Sequence, residues 1–178
     1  MNIAIGSDKS GFTLKEAVKQ HLAGKGHTLS DLGLTDPAGF KAYYEVAPNV
    51  ARAIQKGEAQ RGILICGTGM GMAIVANKFK GIYAAVVEGA YAARMCAVIN
   101  KANILTMGGW VLAPQHAIDL VERWLSAGFT EGFPPDRQQF LCNAFEQVCK
   151  IEQENSGKWN RRTPPYTARL HPRDRKAP

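Results

Sequence analysis

Two rhythms of apolar residues alternate along this chain. Short apolar runs of strand length are followed by stretches in which apolar positions recur three or four residues apart. The first run, Asn2-Ile3-Ala4-Ile5-Gly6, leads through the polar Ser7-Asp8-Lys9-Ser10-Gly11 to Phe12, Leu14, Ala17, Val18 and Leu22 at helical spacing. Gly24 and Gly26 end that helix. A less regular run over 27–33 predicts a second strand, and the turn formers Gly33, Asp36, Pro37 and Gly39 follow it. Residues 43–56 then read as a helix. Pro48 fits only its first turns, which predicts a later start.

Ile63-Leu64-Ile65 is a buried central strand ending in Cys66, and helical periodicity resumes over 70–76. A fourth strand is predicted over 81–87, a helix over 90–99 and a fifth strand over 102–107. Pro114 opens a helix that carries Ala117, Ile118, Leu120, Val121, Trp124 and Leu125. Strands alternating with helices at this spacing imply parallel βαβ units with right-handed crossovers. The expected fold class is therefore α/β, a five-stranded parallel sheet with helices on both faces. Residues 1–130 form this domain and 131–155 a linker and amphipathic C-terminal helix, of a kind that packs on a partner subunit. Residues 156–178 form an extended, basic, proline-rich tail.

Charge changes the picture only at the end of the chain. The formal net charge is +7, but seven basic residues against one acidic residue lie beyond Asn155, so the domain itself is nearly neutral. With no recognition motif, nucleic acid is not an expected partner. No apolar run approaches the ~18 residues of a membrane span, and no export signal is evident at the N-terminus. Four cysteines without a CxxC pair fit reduced thiols, and a cytoplasmic location is expected. His21, His27, His116 and His171 lack metal-ligand spacing, and Cys142 and Cys149 share one helix face as packing residues. Neither a metal nor a cofactor is expected.

The chemistry concentrates between Gly62 and Lys78. Cys66 closes the central strand, Gly67, Gly69 and Gly71 alternate after it, and a helix begins at Met70. Such a turn frees backbone N–H groups at a helix N-terminus. It places the Cys66 thiol and Thr68 hydroxyl at the carboxyl end of a strand, where open α/β sheets bind ligands. A thiol ahead of a helix N-terminus is biased towards its thiolate, a usable base. The inert buried thiol is the structural alternative for Cys66, and a helix N-cap is the alternative for Asp8.

Three segments resemble the ribose-5-phosphate isomerase B / galactose-6-phosphate isomerase family. They are IAIGSDKSGFTLKEAVKQHL, GEAQRGILICGTGMGMAIVANKFKGIYAAVV and ANILTMGGWVLAPQHAIDLVERWL. The resemblance spans roughly residues 1–137. It implies a Rossmann-like three-layer domain and a homodimer or homotetramer with sites at the subunit interface. It also implies metal-independent aldose–ketose isomerisation of phosphorylated sugars through a cis-enediolate. Carried over by position, Cys66 is the base and Thr68 handles sugar oxygens. Asp8 is a hydroxyl-binding or acid–base carboxylate. Gly67, Gly69, Gly71 and Asn100 form the anion hole. Tyr43 (or its neighbour Tyr44) contacts substrate. Lys9, at the end of the first strand, and Arg137 are the best candidates to anchor the phosphate, with Arg94 and Lys101 as weaker ones.

The departures from the family concern substrate. Lys9 stands where the family usually has His, Ile99 where ring-opening members have His, and Trp110 where many carry a phosphate-binding Arg. The C-terminal Gly-Gly-Arg-His segment is replaced by Gly132-Phe133-Pro134-Pro135-Asp136-Arg137. Ile99 cannot transfer a proton. An open-chain substrate such as a tetrulose phosphate, which cannot cyclise, accounts for this. The alternatives are a partner subunit of a hetero-oligomeric isomerase or a sugar-phosphate-binding protein; the presence of Cys66 favours the working isomerase.

Overall fold

The computed structural model describes residues 1–155; the basic tail expected beyond them lies outside the described residues. Five strands and six helices alternate: β1 (Asn2–Ser7), α1 (Phe12–Gly24), β2 (Thr28–Asp31), α2 (Tyr43–Gln55), β3 (Arg61–Cys66), α3 (Met70–Ala76), β4 (Ala84–Val86), α4 (Ala90–Asn100), β5 (Ile104–Gly108), α5 (Pro114–Leu125) and α6 (Pro135–Asn155). All strand pairs are parallel, in the order β2-β1-β3-β5-β4. The three-layer α/β expectation is met.

Strand alternation divides the core in two. Ile3, Ile5, Ile63, Ile65, Leu105 and Met107 point to one face, where α1, α4 and α5 cover them and Trp124 is wholly buried. Ala4, Leu64, Cys66 and Ile104 point to the other face, under α2 and α3. Small residues on that face set a close approach. A Cβ on Gly6 would stand 2.8 Å from Val46, and one on Gly62 would stand 2.8 Å from Val50. That approach fixes α2, and hence its first residue Tyr43, against the glycine loop.

Two boundaries depart from the sequence expectation. α2 begins at Tyr43 despite Pro48. Pro48 has no N–H to give the carbonyl four residues back, at exposed Tyr44, where solvent can satisfy it. The Glu45 carboxylate accepts from the Ala42 N–H at 2.7 Å and stabilises this early start. β4 is shorter than the expected 81–87. The Asn103 side chain takes the Tyr83 N–H and the Gly81 carbonyl, and the Asn77 side chain pairs with both backbone groups of Ala84. Side-chain amides thus replace ladder bonds where the edge strand begins.

The chain from β1 crosses to β2 on one side, and β3 lies on the other. The carboxyl ends of β1 and β3 therefore flank the topological switch point, where doubly wound sheets bind ligands. Ser7, Asp8 and Cys66 stand there.

Candidate active site

Cys66 ends β3 and is only 5% exposed. The Gly69 N–H donates to its Sγ at 3.1 Å, a contact that a thiolate accepts more strongly than a thiol. Gly69 reaches this position because its φ is +78°, the left-handed turn that opens α3. Among the described residues, the N–H groups of Gly67, Thr68 and Gly71 make no hydrogen bond. The Thr68 hydroxyl accepts from Met70 N–H at 3.4 Å and is half-buried. A buried thiol thus sits in a loop with several N–H donors that no described residue accepts from, suited to negative charge on a neighbouring oxygen.

The loop is held from three sides. The Gly109 N–H donates to the Cys66 carbonyl at 2.7 Å, and the Trp110 N–H to the Gly67 carbonyl at 3.0 Å. A Cβ on Gly67 would meet the Trp110 ring at 2.7 Å. A Cβ on Gly71 would meet the Tyr43 ring at 3.0 Å, and one on Gly69 would meet the Met107 backbone at 2.9 Å. Two aromatic rings therefore border the loop, Trp110 on Gly67 and Tyr43 on Gly71. Tyr43 is the tyrosine at the loop; Tyr44 meets its ring edge-on and points outward, 60% exposed.

Asp8 follows β1, and its N–H donates to the Ile65 carbonyl at 3.3 Å, which places it one strand from Cys66. The Gly11 N–H donates to its Oδ1 at 3.0 Å. Burial pushes the Asp8 carboxyl above its usual range, against the lowering effect of the Gly11 and Ser10 N–H groups. A carboxyl that keeps its proton more readily is suited to exchanging one with a sugar oxygen. Lys9, next in sequence, is exposed.

Asn100 and Arg137 stand elsewhere. Asn100 is the last residue of α4, which runs back towards the amino ends of the strands. Two residues on, the Ala102 carbonyl accepts from Arg61 at 3.1 Å. Arg61 begins β3, five residues or about 16 Å from Cys66. Asn100 lines a different cavity of about 360 Å³ with Ile99, Tyr83, Cys96 and Phe145. Its neighbour Lys101 adopts a left-handed φ of 56°, with its ammonium over the Phe129 and Phe145 rings. Arg137 is exposed in the first turn of α6, over Phe133 and Phe140. Arg94, a weaker cation candidate, is paired with Glu131 at 2.9 Å.

Two features around the loop rest on contacts between separate parts of the chain. The Asn77 amide, bound to Ala84, ties α3 to the edge strand. The seating of Trp110 and Tyr43 on loop glycines depends on rings from distant elements. Among the described residues no group of three or more metal-ligating side chains occurs, and no helix is long and apolar enough to cross a membrane.

The family model described as Ribose/Galactose Isomerase matches residues 3–140. A 4-deoxy-4-sulfo-D-erythrose isomerase of Clostridium sp. (strain MSTE9) is 56% identical over 153 residues, covering 86% of this chain and 96% of its own. A D-erythrulose-4-phosphate isomerase of Pectobacterium atrosepticum is 41% identical over 133 residues, covering 74% and 87%. Among solved structures, ribose-5-phosphate isomerase B of Clostridium thermocellum superposes with a TM-score of 0.79 at 38% identity, covering 86% and 99%. With its sheet order, its Cys66 loop and this match over most of its length, the chain belongs to the ribose/galactose isomerase family.

Proposed function

We propose that this protein is an aldose–ketose isomerase that shifts a proton between C1 and C2 of an open-chain, four-carbon sugar bearing a terminal anion. The observation that carries the reading is the Cys66 thiol at the switch point, bonded by Gly69 N–H at 3.1 Å and bordered by the N–H groups of Gly67, Thr68 and Gly71. The Cys66 thiolate removes the C2 proton of the aldose, the C2 electrons enter the C1–C2 bond, and a cis-enediolate forms. The thiol then returns the proton to C1. The loop N–H groups hold the developing oxyanion, and Asp8 with Thr68 moves the proton between the C1 and C2 oxygens. No metal or cofactor is required by this route.

Two relatives are named for 4-deoxy-4-sulfo-D-erythrose and D-erythrulose 4-phosphate, four-carbon sugars with an anionic group at C4. A tetrose closes its ring through the C4 hydroxyl, and sulfonate or phosphate at that position removes it. The substrate therefore reaches the site already open, and Ile99 in place of a proton carrier is no handicap.

Asn100 ends α4 at the amino edge of the sheet, and the segment leading to Arg137 is tied there by the Thr130 N–H on the Val98 carbonyl, which supports a reading in which both reach the substrate from a second copy of the chain. We read the working form as a homodimer or homotetramer with α6 at the interface. Exposed Phe40, Tyr44, Met70, Ile74 and Tyr91 around the Cys66 face favour it. Four free cysteines fit a reducing cytoplasm.

The test is turnover of 4-deoxy-4-sulfo-D-erythrose, D-erythrose 4-phosphate and ribose 5-phosphate by the full chain, with deuterium incorporation at the reacting carbons. Cys66→Ser is expected to lower kcat/KM by about 10²–10⁴-fold at unchanged thermal stability. Full activity in Cys66→Ala would remove the thiol from the mechanism. Thermal stabilisation by one of these sugars without turnover of any would make the protein a binder.

A further inference from the structure

Trp110 is 75% exposed, an unusual fate for the largest apolar side chain on a surface that bears the catalytic loop. It is nevertheless held firmly. Its N–H bonds the Gly67 carbonyl at 3.0 Å, its neighbour Gly109 bonds the Cys66 carbonyl at 2.7 Å, and its ring fills the space a Cβ on Gly67 would need. One face of the indole is therefore fixed on the loop beside Cys66. The other face and the ring N–H, which has no acceptor among the described residues, are open.

Resting on the isomerase reading above, we propose that Trp110 is the specificity-determining residue that fits this site to a four-carbon sugar ending in a sulfonate rather than a phosphate. With C1 and C2 at the Cys66 thiol, such a substrate has only C3 and C4 before its anion. The anion thus falls on residues bordering the loop, and Trp110 borders it at Gly67. An indole offers a broad apolar face and a single N–H donor, with no charge. A phosphate monoester carries about −1.5 to −2 near neutral pH and three strongly hydrated acceptor oxygens. A sulfonate carries one charge spread over three weaker acceptors. Laying the group on an indole strips water from it, and that desolvation is more costly for the phosphate. A longer sugar carries its anion past the ring and gains nothing from it.

The experiment compares kcat/KM for 4-deoxy-4-sulfo-D-erythrose and D-erythrose 4-phosphate in the unaltered chain and in Trp110→Phe, Trp110→Ala and Trp110→Arg. The unaltered chain is expected to favour the sulfonate by about tenfold or more. Trp110→Phe keeps that preference, and Trp110→Ala abolishes it through KM. Trp110→Arg, planar but cationic, shifts the ratio at least about tenfold towards phosphate. A ratio constant within about twofold across all four proteins, each active, would overturn the proposal while leaving the isomerase intact. A parallel loss on both substrates, with dissociation seen by sedimentation velocity, would make Trp110 an interface residue and equally overturn it. An unaltered chain that turns over neither sugar would remove the isomerase reading along with it.

Discussion

The three glycines after Cys66 look equivalent in sequence, yet each answers a different physical demand. Gly69 needs its positive φ to carry the N–H onto Sγ, while Gly67 and Gly71 make room for Trp110 and Tyr43. Asp8 across the switch point has a comparably specific environment. Burial raises its pKa against two opposing backbone donors. For a carboxyl raised on folding, its contribution to stability is present below the ordinary value of about 3.9 and is lost as pH rises through the folded value. At neutral pH the buried charge is therefore a net cost. Asp8→Asn keeps the oxygen that accepts from Gly11 and removes the charge. Its melting temperature at pH 7 is expected to equal or exceed that of the unaltered chain, an advantage that disappears near pH 3, while turnover falls. A lower melting temperature at pH 7 would mean that the carboxylate serves chiefly to cap the loop.

At the scale of elements, Lys15 shows what positions the β1–α1 side of the site. It is fully buried on α1, donates to Asp31 Oδ2 at 2.6 Å and to the Leu34 carbonyl at 2.5 Å, and lies 4.9 Å from the Phe12 ring centre. It ties α1 to the end of β2 and the loop beyond. Burial alone would raise the Asp31 pKa, but hydrogen bonds from Lys15 and then Lys19 outweigh it and hold it low. A lowered carboxylate contributes stability above its ordinary value and loses it as pH falls through the folded one. Lys15→Met leaves Asp31 with only Lys19 and the Gly33 N–H and takes the donor from the buried Leu34 carbonyl, and urea unfolding at pH 7 should show a loss of about 1–3 kcal/mol. The difference should narrow as pH falls below the ordinary carboxylate range and Asp31 protonates in both proteins. A difference independent of pH would assign the role of Lys15 to packing.

Elements of this kind were legible where periodicity is strong. The strand, glycine turn and helix around Cys66 follow from a change of apolar period, and the parallel sheet follows from the alternation of elements. Less legible were the places where a side chain does the work of backbone. Asn77 and Asn103 shorten β4, and Glu45 with an exposed Tyr44 carbonyl lets α2 start ahead of Pro48. The Glu45–Ala42 bond spans only three residues, but the partners of Asn77 and Asn103 lie elsewhere in the chain and the Tyr44 carbonyl turns to solvent, so no local pattern encodes those. The seating of Trp110 on Gly67 was hidden for the same reason.

At the scale of the molecule, the sequence groups residues that one subunit keeps apart. Cys66 lies at the carboxyl edge of the sheet, whereas Asn100 ends α4 near Arg61 at the amino edge. The two-fold dimer of identical chains proposed above reconciles them, since an isologous interface can bring the carboxyl edge of one copy to the α4 end of the other. This predicts intersubunit complementation. Cys66→Ser and Asn100→Ala homo-oligomers should each be nearly inactive. When they are unfolded together and refolded in equal amounts, half the dimers are mixed, and each mixed dimer holds one site with both Cys66 and Asn100 intact. Activity should recover to about a quarter of the unaltered value. Were both residues drawn from one chain, no such intact site could form, and the mixture would stay as inactive as its parents. Arg137→Ala in place of Asn100→Ala tests the α6 contribution in the same way. Recovery with Asn100→Ala but not with Arg137→Ala would place Arg137 on the same chain as its Cys66, or outside the site.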